Sequence, residues 1–475
     1  MRHLCTPGRN TVRGITTLWL LWSVSSIGLC GALAFVMFGE SEKTAFMPGP
    51  LSAGHHQLAE SCESCHTDAF GGGEVLQMSC INCHGDDRKK PYDSHPIAKF
   101  KDPRNAARLR KINATRCVSC HVEHRPEVTL TNGLTRPRDV CFHCHEDIAE
   151  DRPSHEGMAF ANCTTSGCHN YHDNRALYTD FLVKHMDQTE LLENRTVEIL
   201  GFLSVIDQIV EYPIDDYPIV ALQTSDADSP AELKVDDQIT QDWVTTRHGK
   251  SGVNCSGCHQ PGNGDGTRAA WSDKPSLDGC SACHADEVTS FTKGRHGMRL
   301  AAGLSPMTPE MARLPMQEKN THEELTCNSC HGAHRFDTQQ AAVESCLGCH
   351  ADEHSLAYKA SDHYSLWQAE VDGSGQAQSG VSCATCHMPR VDKDVSDWLS
   401  RVVVEHNQSK FFAPNSKMIR PVCQSCHGLP FSINALADQA LITNNFNGQP
   451  SVHVDSVDLA RQDADRHAKK KSGSN

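Results

Sequence analysis

The sequence predicts a chain of short α-helices and loops folded around bound apolar cofactors, in two modules that follow one membrane-spanning helix. Three observations predict it. Only 38% of the 475 residues are hydrophobic and 6% aromatic, below the roughly 45–50% apolar share of ordinary domains. The chain instead carries 24 Cys and 29 His. Near the N-terminus, 24 consecutive positions, 15–38, hold no charge.

The uncharged run is the first element. As a helix it spans about 36 Å, enough to cross a bilayer with some tilt. Arg2, Arg9 and Arg13 precede it, and Glu40 and Glu42 follow. The positive-inside rule then leaves residues 1–14 in the cytoplasm and exports everything after the helix. The run is longer than a signal-peptide core, which favours an anchor. A cleaved signal is the competing reading, with Ala32-Leu33-Ala34 as its site.

The cysteines come next. Ten times the chain reads C-x-x-C-H: Cys62-x-x-Cys65-His66, Cys80-x-x-Cys83-His84, Cys117-x-x-Cys120-His121, Cys141-x-x-Cys144-His145, Cys255-x-x-Cys258-His259, Cys280-x-x-Cys283-His284, Cys327-x-x-Cys330-His331, Cys346-x-x-Cys349-His350, Cys383-x-x-Cys386-His387 and Cys423-x-x-Cys426-His427. Two thiols three positions apart share one face of a helical turn and reach the two vinyl groups of one haem. The following His becomes the proximal iron ligand. A disulfide scaffold needs no His after every second Cys, and zinc sites do not use Cys and His side by side. Cys163 and Cys168-His169 form an eleventh site with four intervening residues. Eleven sites use 22 Cys and leave only Cys5 and Cys30. The expected cofactor is therefore haem c, 11 per chain, and the fold is mainly short α-helices and loops wrapped around covalently bound haems.

A haem with two axial His transfers electrons and admits no substrate to iron. Candidates for the second, distal position are His55, His56, His95, His124, His155, His172, His185, His248, His296, His322, His334, His354, His363 and His406, with His143 and His453 as further supply. Several lie three or four positions after a proximal His, as in CHVEH and CHGAH. Such a ring cannot easily cap its own haem, so it reaches the next one. That arrangement implies closely packed haems.

The formal charge of −15 argues against nucleic acid as a partner. It is concentrated between Met186 and Asp242, where 14 acidic residues face only Arg195 and Lys234. This cysteine-free block separates the two Cys-rich regions. The expected organisation is 15–38 anchor, 50–185 pentahaem module, 186–242 acidic linker, 243–444 hexahaem module and 445–475 polar tail. Apolar residues at 191, 192, 199, 200, 203, 206 and 210 predict one amphipathic helix in the linker, stopped by Tyr212-Pro213 and Tyr217-Pro218. That acidic crossover serves either as a dock for a basic partner or as a solvated connector.

Two resemblances follow from these residues. The first module packs five sites into 62–169, broken by Gly71-Gly72-Gly73, Asp102-Pro103 and Arg136-Pro137, with the longer Cys163 motif. It resembles class III (low-potential, multihaem) cytochromes c. The second module resembles the superfamily of tetrahaem cytochromes, hydroxylamine oxidoreductase and pentahaem nitrite reductase. The resemblance is carried by His248 ahead of Cys255–His259, by the stretch from Cys346–His350 to His363, and by Cys383-Ala-Thr-Cys-His-Met-Pro389. Such nitrite reductases replace the proximal His by Lys at the catalytic haem, whereas every motif here keeps His. In hydroxylamine oxidoreductases a Tyr is crosslinked to the catalytic haem; Tyr358 and Tyr364 lie in the corresponding kind of segment and also suit plain packing.

The resulting expectation is an inner-membrane-anchored, periplasmic undecahaem cytochrome. It would pass electrons between a membrane quinol-linked donor, or quinol itself, and a soluble periplasmic redox protein. One alternative is a nitrite, hydroxylamine or sulfur-oxyanion oxidoreductase with one open haem in the second module. Another is a quinol dehydrogenase using Arg104, Arg108 and Arg110, residues that also suit a solvated basic face.

Overall fold

The computed structural model describes residues 9–38, 47–68, 72–88, 95, 100–130, 133–136, 138–152, 155–157, 171–172, 179–193, 195, 220–263, 266–396, 399–411 and 414–472. Among them the helices of seven residues or more are α1 (Arg9–Phe38), α2 (Gly73–Arg88), α3 (Thr179–His185), α4 (Asp237–Thr245), α5 (Leu277–Lys293), α6 (Asp362–Val371), α7 (Leu429–Ala437) and α8 (Ser456–Ser472). One antiparallel hairpin joins β1 (Arg390–Ser396) and β2 (Leu399–Val404), in register from Arg390 opposite Val404 to Asp394 opposite Ser400, with a bulge before Ser396 opposite Leu399. The architecture is short helices and loops, as the composition implies.

Helix α1 contains a span, Thr17–Phe35, with mean hydropathy 1.8 and none of it buried in the protein. Its length and composition suit a membrane anchor or a signal sequence.

The motifs fold locally as single turns. Cys255–His259, Cys327–His331 and Cys383–His387 are one-turn α-helices, and Cys62–Ser64, Cys117–Ser119 and Cys423–Ser425 are 3₁₀ turns. In two of them a polar residue before the first Cys caps the turn. The Asn254 side chain accepts the Cys255 N–H at 2.8 Å, and Ser382 Oγ accepts the Thr385 N–H at 3.1 Å. Two motifs sit inside longer helices, Cys80–His84 in α2 and Cys280–His284 in α5. Helix α5 breaks at His284 itself (φ −113°, ψ 44°).

Among the described residues the apolar core lies mostly in the C-terminal half and takes in α3. Leu182 of α3, Met418, Ile419, Leu429, Ile433 and Leu436, and Val457 and Ala460 of α8 form one cluster. Ile419, Leu429 and Ile433 are fully buried. Two expected boundaries therefore do not coincide with the packing. Helix α3, allotted to the first module, packs into the second, where Arg461 Nη2 also donates to Asp187 Oδ1 at 2.9 Å. The tail is partly the core helix α8. In both segments a few apolar side chains on one helix face are hidden in a polar sequence.

The acidic block also joins the second module at each end. The Leu192 N–H donates to Cys426 O at 2.9 Å and the Leu222 N–H to Gly249 O at 2.9 Å. A Cβ at Gly428 would lie 2.2 Å from Thr189 O, so only glycine permits this close approach. Most of the expected amphipathic helix, residues 196–210, lies outside the described residues.

The two modules meet around Arg299. Its buried guanidinium donates from Nη1 to Gln57 O at 2.9 Å and from Nη2 to Glu60 Oε2 at 3.0 Å. His56 Nε2 donates to Met311 O at 3.2 Å.

Candidate haem sites

Nine imidazole pairs stand out among the described residues: His55–His84, His95–His145, His121–His172, His248–His284, His259–His334, His296–His350, His331–His406, His354–His387 and His363–His427. Their ring centroids lie 5.9–6.4 Å apart. Every pair joins one motif His to one His outside the motifs. Two imidazoles on opposite sides of one iron, each with a metal–nitrogen bond of about 2 Å, set their centroids about 6 Å apart. Direct stacking would bring the parallel rings of His259 and His334, 9° apart in orientation and 5.9 Å in centroid distance, much closer.

Second partners orient the rings. The Nδ1–H groups of His95, His121, His259 and His406 donate to backbone oxygens of Tyr171 (2.8 Å), Gly133 (2.8 Å), Ser272 (2.7 Å) and Val404 (2.9 Å). That of His55 donates to Glu123 Oε1 at 2.7 Å. Each bond fixes the tautomer and leaves Nε2 with its lone pair for a metal. His248 keeps a buried Nδ1 with no hydrogen-bond partner.

Local folding explains how distant residues arrive. His406 follows β2, and its N–H donates to Ser290 Oγ of α5 at 3.0 Å, so the hairpin delivers the ring to His331. His296 sits in the turn after α5. A Cβ at Gly297 would fall 2.4 Å from Phe291 O, so this turn also needs glycine.

Burial keeps the rings neutral, the form that binds iron. It pulls His296 down to about 4, with help from His350, His387 and Arg295. It pulls His387 to about 4 as well, with help from His354 and His350. His248, His331, His334, His350, His363 and His427 are shifted down for the same first cause. Burial likewise pushes the Cys330 and Cys386 thiols up to about 11. No disulfide joins any described cysteine. Thiols of successive motifs are instead near enough to raise or lower one another's pKa, Cys80 with Cys117, Cys280 with Cys327 and Cys346 with Cys383. Neighbouring cofactor sites are thus in contact.

The residues present fit haem c. The cytochrome c3 family matches residues 54–146, a stretch that holds the first four C-x-x-C-H motifs. Over that stretch the match supports a multihaem c-type cytochrome. The match covers about a fifth of the chain and does not reach residues 243–444. No solved structure matches the chain.

Other expected ligands have different surroundings. Both ring nitrogens of His56 are engaged, Nδ1 with Ala53 O at 3.0 Å and Nε2 with Met311 O. His185 packs 4.5 Å from the Phe181 ring, and exposed His322 pairs with Glu310 at 3.1 Å. His453 bonds Asp458 at 2.7 Å. His66 and His124 lie outside the nine pairs. The eleventh motif, Cys163 to His169, lies outside the described residues. Tyr358 is buried, donates to Val381 O at 2.7 Å and meets Tyr364 edge-on at 5.3 Å. Arg104 closes a fork on Asp102, Nε at 3.0 and 2.9 Å from its two oxygens.

Sequence reading did not single out Glu123, Gly297 or the hairpin. Glu123 has a weak signal in C-H-V-E-H, where a carboxylate sits beside a candidate ligand. The other two act only through tertiary contact.

Proposed function

We propose that the chain is an undecahaem electron conduit, anchored by α1 in the inner membrane with its haem modules in the periplasm. It would carry electrons between a membrane quinol-linked donor and a soluble periplasmic redox protein. The observation that carries this reading is the set of nine pairs, each closing both axial positions of one iron. When bound, haem supplies a one-electron couple at each site. The paired imidazoles would hold the iron from both sides and exclude substrate, while the backbone carbonyls on Nδ1 hold the rings in place. Export is supported by the basic N-terminal flank of α1 and by the thioether chemistry of the motifs.

Oxidised, membrane-extracted protein is expected to give wholly low-spin EPR signals and 11 haems per chain by pyridine haemochrome assay. A high-spin signal that shifts on adding nitrite or hydroxylamine would replace the conduit with an oxidoreductase. Ten haems would remove the Cys163 site, and recovery of the chain in the soluble fraction would remove the anchor. His363→Met or His406→Met is expected to alter the spectrum of one haem and leave the others unchanged.

A further inference from the structure

The ligand pairs follow one plan twice. In each module the second motif is paired with a His seven positions before the first motif: His55 before Cys62 serves His84, and His248 before Cys255 serves His284. The fourth motif is paired with a His between the second and third motifs, His95 for His145 and His296 for His350. The third motif is paired with a His beyond the fifth, His172 for His121 and His406 for His331.

Contacts between motifs repeat as well. The Cys80 and Cys117 side chains are neighbours, as are those of Cys280 and Cys327, second motif to third in both modules. The residue before the second motif lies against the second Cys of the first: Ser79 Oγ donates to Cys65 O at 2.8 Å, and a Cβ on Gly279 would sit 3.2 Å from Cys258 O.

One correspondence remains open among the described motifs. In the second module the first motif, His259, is paired with His334, three residues after the third motif's His331. The first module carries His124 at that place, three residues after His121. Both residues adopt the same uncommon left-handed backbone, φ 64° for His124 and 63° for His334. We propose that the two modules are copies of one five-haem unit, and that His124 is the distal ligand of the haem on Cys62, Cys65 and His66.

The surroundings of His124 support the assignment. Its Nδ1–H donates to Gly49 O at 2.8 Å, the same backbone bond that the paired rings make, so Nε2 keeps its lone pair. A Cβ at Gly49 would collide with His124 O at 2.5 Å, so glycine admits the close approach. The neighbouring Glu123 accepts the Ser52 N–H at 2.9 Å and the His55 Nδ1–H at 2.7 Å. Residues 123–124 are thereby tied to the segment that leads into Cys62. His56 is nearer in sequence but has both nitrogens engaged. The sixth motif of the second module, Cys423–His427 with His363, has no counterpart in the first and is an addition to the plan.

This proposal rests on the haem assignment above, and full-length holoprotein tests the two separately. In His124→Ala, one haem per chain is expected to turn high-spin by EPR at unchanged haem count, while His56→Ala stays wholly low-spin. His334→Ala should give the same one-haem change in the second module, and the double variant two. His124→Met retains a coordinating atom, so it is expected to keep all haems and raise one reduction potential. A haem-loaded His124→Ala protein that stays fully low-spin, a high-spin signal from His56→Ala, or an unshifted His124→Met overturns the assignment alone. A wild-type chain without covalent haem overturns the reading beneath it.

Discussion

The two Cys-rich regions share one pattern of paired imidazoles and hold themselves together by different means. Among the described residues of 47–157 no apolar side chain is buried; Ser52, Gln57, Ser61, Gln77 and Ser79 are. The C-terminal half buries Trp243, Phe291 and Tyr358 and builds a separate cluster around Ile419, Leu429 and Ile433. On the proposed haem assignment the first region would take its apolar contact from haem faces, because hydrophobic burial is the main favourable term in folding and its own described side chains contribute almost none. The second has a core that exists without haem. A protein can therefore carry one ligation pattern on two foundations, one supplied by the cofactor and one by the chain.

The sharpest way to break that comparison is to withhold haem. Chain produced without haem attachment is expected to be cut throughout 47–157 by a dilute protease, while a fragment containing 414–460 resists, as read by mass spectrometry. Equal survival of both regions would erase the distinction. A smaller effect comes from the core itself. Ile433→Ala should cost about 2–5 kcal/mol in denaturant unfolding with every haem spectrum unchanged, whereas Leu76→Ala in the first region should cost less than about 1 kcal/mol.

The junction between the regions comes next in size. Arg299→Met leaves Gln57 O and Glu60 without their donor and should cost about 1–3 kcal/mol, seen as faster proteolysis near residues 56–60 without haem loss. The smallest effect separates two carboxylates. Asp438 accepts from the Leu441 N–H at 3.0 Å and from the Ser451 N–H and Oγ at 2.7 Å, and these bonds lower it to about 2. A folded-state value below the unfolded one, near 3.9, contributes stability that is present above pH 4 and lost as pH falls toward 2. Asp438→Asn should thus lower the thermal midpoint at pH 7, and the gap from wild type should close on acidification. Asp102 is lowered chiefly by its bond to exposed Arg104, and Asp102→Asn should leave the midpoint nearly unchanged.

The sequence by itself determined the covalent chemistry. Cysteines three positions apart and the following His lie within one turn, so haem attachment and the proximal ligand are local properties of each motif. The apolar helix α1 was legible for the same reason, since one run of residues sets both its length and its hydropathy. Which distal His serves which motif was not legible. His172 reaches back past two motifs to His121, His55 skips the first motif for His84, and a hairpin unseen in the sequence delivers His406 to His331. That Leu182, Val457 and Ala460 share one core was not legible either, because they are ordinary residues in polar helices until Ile433 packs between them. Only the tertiary structure decided these pairings, because contact between residues far apart in the chain depends on how intervening turns close. Those turns depend on single features such as Gly297 beside Phe291 O and Gly428 beside Thr189 O, whose necessity appears only when two backbones are already in contact.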